Sequence, residues 1–94
     1  MQVSVAKFGG SSLADANQVR KVKEIIMMDE NRRYIIPSAP GKRNEDDIKI
    51  TDLLYAVKKQ AIEGEPTDEI FSQIRQRFIE MRDELGARLK IETY

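Results

Sequence analysis

The 94-residue sequence contains no cysteine, no histidine and no tryptophan. Without cysteine there are no disulfides and no thiolate metal sites. Without histidine the commonest general base and the commonest metal ligand are missing. Apolar runs are only a few residues long, too short to span a bilayer. The N-terminus shows no basic stretch leading into an apolar one, so it does not read as a signal peptide. Net charge is zero; the first fifty residues hold nine basic and seven acidic side chains, and the rest reverse that balance. Such a chain lacks the strongly basic face that duplex nucleic acid requires. These exclusions fit a cytoplasmic protein with neither nucleic acid nor membrane as partner.

What is present suits a folded chain. Apolar residues make up 40% and charged residues 34%, and the length allows one small domain. Val3 to Phe8 is short and partly β-branched, and is bounded by Gly9-Gly10; it reads as a buried strand. Ser12-Leu-Ala-Asp15 fits a capping box, with the Ser12 hydroxyl at the N-cap. Ala16, Val19, Val22, Ile25 and Ile26 then recur at helical spacing, predicting an amphipathic helix over 12–29.

Tyr34-Ile35-Ile36 is a second strand, closed by Pro37, which lacks a ladder donor and belongs at a strand end or edge. Residues 38–50 form a polar, charge-rich loop, long for a simple connection and therefore a candidate functional loop. Leu53, Leu54, Val57 and Ala61 give a helix stripe with Gly64 as its C-terminal stop. Thr67 reads as the next N-cap, with Asp68 and Glu69 in the first turn. Phe71, Ile74, Phe78, Met81 and Leu85 repeat at helical spacing up to Gly86. That stripe reads as core packing, with a helix-pair seam as the other use of its spacing. Ala87 to Tyr94 opens a segment assigned to no element.

The order is β-α-β-α-α. A helix between two strands makes a βαβ unit, so the strands run parallel. A two-stranded parallel sheet is an unusual finished product, because parallel strands are normally covered on both faces within larger sheets. The pattern therefore predicts a piece of a larger α/β domain, or a sheet completed by another chain.

The stretch Lys7-Phe-Gly-Gly-Ser-Ser12 stands where the first strand gives way to a helix. Two uses compete there. Glycines permit positive φ in a tight turn, or they let a ligand approach a backbone without Cβ atoms. Free N–H groups at a helix start, with a lysine at the strand's carboxyl end, would spread phosphoryl charge. Neither the GxxxxGK[ST] loop nor GxGxxG is present. Strand 2 also ends in a small hydroxyl residue, Ser38, followed by Ala39-Pro40-Gly41-Lys42-Arg43. In a parallel pair both carboxyl ends share one sheet edge, so Gly9, Gly10 and Ser38 become neighbours. Glu45-Asp46-Asp47 in the long loop reads as a solvated run rather than a metal site, since consecutive acids seldom converge on one ion.

KFGGSSLADA, then YIIPSAPGKR, then ITDLLY, together resemble the start of the aspartate kinases, within the amino acid kinase superfamily. The resemblance covers most of residues 1 to about 60. It implies a partial three-layer αβα sandwich of the carbamate kinase-like type. It also implies transfer of the γ-phosphoryl group of ATP to the side-chain carboxylate of L-aspartate, with Mg²⁺ as cofactor, in a homo-oligomer. By position, Lys7 would act as the catalytic cation. Lys7, Phe8, Gly9, Gly10 and Ser11 would bind ATP phosphates, Ser38 and Thr51 would contact aspartate, and no metal ligand falls within the chain. Aspartate kinases are several times longer. The resemblance thus implies that residues 1–94 are an N-terminal fragment without the rest of the kinase domain or the regulatory ACT domains, and are inactive alone. A glutamate or acetylglutamate kinase, or a non-catalytic phosphate-binding module, would share the glycine loop; the serine-alanine pair and ITDLL favour aspartate.

Overall fold

A computed structural model of the chain describes residues 2–88; residues 89–94, which hold most of the segment assigned to no element, lie outside the described residues. The chain divides into two compact units, residues 1–49 and residues 50–94. It is an α/β chain, and among the described residues no helix is long and apolar enough to cross a membrane.

In the first unit, β1 (Ser4–Phe8) pairs in parallel with β2 (Arg32–Pro37), with Val5 opposite Tyr34, Lys7 opposite Ile36 and Phe8 opposite Pro37. Pro37 closes β2, where its missing N–H costs the ladder least. Side chains alternate across the sheet. Ala6, Phe8 and Ile35 mark the more covered face, whereas Val5 (62% exposed), Tyr34 (62%) and Ile36 (52%) share the open one. The expectation of a buried first strand therefore holds only at Phe8. The reason is that two strands alone offer one face nothing to pack on.

The connection after β1 also differs from the sequence reading. Gly10–Leu13 is a short 3₁₀ turn, and α1 (Ala16–Met27) starts only after it. The cap is Asp15, in extended conformation, whose carboxylate accepts the Gln18 N–H at 3.0 Å. Ser12 is not the cap of the helix; its N–H closes the 3₁₀ turn on the Gly9 carbonyl at 3.1 Å. A Ser-x-x-Asp spacing fits a capping box, but an aspartate is itself as good an N-cap as serine. Here it wins, because the 3₁₀ turn occupies the positions before it. At the far end of α1 the Ile25 carbonyl accepts both the Met28 N–H at 3.3 Å and the Arg32 guanidinium, a basic group at the helix C-terminus.

In the second unit, α2 (Ile50–Ile62) and α3 (Asp68–Leu85) are joined through Gly64, whose φ of +73° is the left-handed conformation a glycine tolerates best. The Glu65 N–H reaches back to the Gln60 carbonyl at 2.8 Å and closes α2. Ile50, Leu53 and Ile74 are buried in this unit. Thr67 stands at the N-cap of α3 as read from the sequence, yet its side chain makes no capping hydrogen bond. The Phe71 end of the α3 stripe is exposed, and the Arg75 guanidinium lies 5.2 Å from the ring centre. Gly86 ends α3 at φ +69°.

Candidate functional site

The parallel pairing brings the carboxyl ends of β1 and β2 to one edge, and the loops that leave them meet there. The Ser38 N–H donates to the Phe8 carbonyl at 3.0 Å, continuing the ladder beyond Pro37. The Gly41 N–H donates to the Gly10 carbonyl at 2.8 Å. The neighbourhood of Gly9, Gly10 and Ser38 read from the sequence is thus the observed arrangement of the backbone.

The glycines have different local reasons. Neither Gly9 nor Gly10 has positive φ, so a left-handed turn is not what they provide. Gly10 sits in a tight space: a Cβ there would lie 3.1 Å from the Ala39 carbonyl oxygen and 3.3 Å from Gly41, so the neighbouring loop would have to give by a few tenths of an ångström. Gly9 has extended backbone, φ −76° and ψ 175°, which any residue adopts, and a Cβ on it would meet no atom within 4 Å. Among the described residues nothing requires residue 9 to be glycine. The residue lies just before the first turn of Gly10–Leu13, whose leading N–H groups have no partner inside the turn.

Lys7 is exposed one residue before the end of β1, and Ser38 and Ser11 are exposed at the same edge. Phe8 contributes differently. Its side chain is buried, and its carbonyl already accepts the Ser38 N–H, so it anchors the edge rather than lining it.

The loop that follows is built on itself. The Arg43 guanidinium pairs with Asp47 at 2.7 Å, and the Arg43 N–H donates to the same carboxylate at 3.0 Å. Asn44 accepts the Asp46 N–H on its side chain at 2.9 Å and the Asp47 N–H on its carbonyl at 3.2 Å. Asp47 is therefore engaged by Arg43. Among the described residues no group of three or more acidic side chains is placed to hold a cation. A magnesium ion accompanying a nucleotide would find no such ligand set among the described residues.

Thr51 lies in the first turn of α2, in the second unit, and is exposed. It lines a shallow groove with Leu54, Tyr55 and Lys58, one stripe of the helix surface. The sequence reading did not single out this stripe as a groove, although its spacing of three, four and seven residues was there to be found. Nor did it single out Gly41, whose contact with Gly10 spans two loops and leaves no local signature.

No protein-family profile matches the chain. It is 39% identical over 83 residues to aspartokinase 3 of Bacillus subtilis, a match that takes in 88% of this chain and 18% of that protein. The crystal structure of Clostridium acetobutylicum aspartate kinase superposes on the whole of this chain with a TM-score of 0.95 and 53% sequence identity, over 22% of that chain. The chain spans about a fifth of the length of the proteins it matches.

Proposed function

We propose that this chain, a segment of the aspartate kinase family in sequence and in fold, supplies the phosphate side of a site that transfers the γ-phosphoryl group of ATP to the side-chain carboxylate of L-aspartate. In that reaction a carboxylate oxygen bonds to the γ-phosphorus, the bond from that phosphorus to the bridging oxygen breaks, and ADP leaves with the electron pair. Such a transfer needs positioning and charge stabilisation more than a strong base, so a chain without histidine is suited to it.

The roles follow from place. The Lys7 ammonium, exposed near the carboxyl end of β1, would offset the charge on the transferring group. The N–H groups of Gly10 and Ser11 would meet phosphate oxygens. The exposed Ser38 hydroxyl would hold the aspartate.

The observation that carries this reading is Gly9. A glycine with extended backbone and open space around its missing Cβ makes room for something outside the chain. The test is incubation of the full-length polypeptide with ATP, Mg²⁺ and L-aspartate, with hydroxylamine to trap an acyl phosphate. Hydroxamate formation that disappears in Lys7→Ala supports the reading. Formation with L-glutamate or acetylglutamate in place of aspartate would transfer it to another amino acid kinase. The isolated 94 residues are expected to form none.

A further inference from the structure

Gly41 is buried, and its φ lies outside the left-handed region, so its demand is for space alone. A Cβ on it would stand 2.7 Å from the Gly10 carbonyl carbon, 2.9 Å from the Gly10 oxygen and 3.0 Å from the Ser11 nitrogen. All three atoms are backbone, which cannot swing aside as a flexible side chain can. Across the same contact the Gly41 N–H holds the Gly10 carbonyl at 2.8 Å. The Gly10–Ser11 peptide is trans, as are all the described ones. In a trans peptide the carbonyl and the following N–H point in opposite directions. Fixing the Gly10 carbonyl toward Gly41 therefore fixes the Ser11 N–H away from it.

We propose that Gly41 is a positioning residue for the phosphate loop: by lying flat against the Gly10–Ser11 peptide and holding its carbonyl, it sets the direction of the Ser11 N–H. Gly41 acts through that peptide and does not itself touch the substrate. The inference rests on the phosphate-loop reading above. It adds that the second loop, thirty residues downstream in sequence, governs the geometry of the first.

The experiment compares four forms of the full-length polypeptide: unmodified, Gly41→Ala, Pro40→Ala and Lys7→Ala. For each, kcat, the KM values for ATP and L-aspartate, and the thermal midpoint are measured. Pro40 is buried in the same loop, and its replacement loosens that loop without placing an atom against Ser11. Gly41→Ala is expected to lower kcat about a hundredfold, the scale of an ångström misplacement, with the aspartate KM held within about threefold. Pro40→Ala is expected to lower the thermal midpoint while keeping kcat within about threefold.

The inference is overturned if Gly41→Ala keeps its kcat, or if Pro40→Ala loses as much, since loop integrity would then explain both. An unchanged kcat in Lys7→Ala removes the phosphate-loop reading itself, and a collapse in Lys7→Ala alone removes only the role of Gly41. Should Gly41→Ala fail to fold, Gly10→Ala replaces it. Its Cβ presses on the same contact from the other side at 3.1–3.3 Å, tight but open to a small shift. It must show the same fall in kcat, and a retained kcat overturns the inference.

Discussion

The Ser38 N–H donates to the Phe8 carbonyl at 3.0 Å, so the fold uses the backbone of Ser38, and the residue itself is exposed. Ser38→Ala keeps that backbone bond. It should change stability by no more than about 0.5 kcal/mol, as for other surface substitutions. The lost hydroxyl should raise the KM for L-aspartate roughly tenfold, the value of one hydrogen bond to a charged group. Thermal unfolding and steady-state kinetics of the full-length variant check both. A fall in stability with an unchanged aspartate KM would make Ser38 a structural residue.

Asp15, not Ser12, holds the start of α1. Asp15→Ala should cost about 1 kcal/mol locally, seen as a roughly fivefold faster hydrogen exchange of the Gln18 amide. Ser12→Ala should leave that amide unchanged. The reverse pattern would restore the serine cap read from the sequence.

Gly64 has a conformational need that Gly9 lacks. At φ +73° a Cβ is strained whatever the space around it, and Gly64→Ala should cost about 1 kcal/mol. Protection of the Glu65 amide, which closes α2 on Gln60, reports the loss in hydrogen exchange. Unaltered protection would mean that the turn re-forms around the new side chain.

Val5, Tyr34 and Ile36 expose one face of a two-stranded parallel sheet. Strands left uncovered and unpaired at their edges invite association. The isolated 94 residues should show a concentration-dependent mass above 10.8 kDa in light scattering, and Ile36→Lys should reduce it. A monomer at all concentrations would show that this face is stable in water as it is.

The β-α-β-α-α order was legible because Val3 to Phe8 and Tyr34 to Ile36 are short β-rich runs, and Gly-Gly and Pro37 punctuate them. The meeting of the two loops was legible too, since parallel strands put both carboxyl ends on one edge. The 3₁₀ turn was not, because Ser12 and Asp15 are each good caps and local chemistry cannot rank them. The exposure of Val5 and Tyr34 escaped for a different reason. An apolar pattern records that a face is to be covered, without saying what covers it. Asp47 read as part of a solvated acidic run, and only its 2.7 Å approach to Arg43 shows that it helps organise the loop.

Gly9→Ala tests the central claim most directly, because residue 9 has extended backbone and no neighbour within 4 Å of its missing Cβ. The measurement is kcat/KM for ATP in the full-length variant, alongside its thermal midpoint. A phosphate cradle predicts an unchanged or slightly raised midpoint, since alanine restricts the unfolded chain, together with a fall of at least roughly tenfold in kcat/KM. Full activity with an alanine at position 9 would contradict the account.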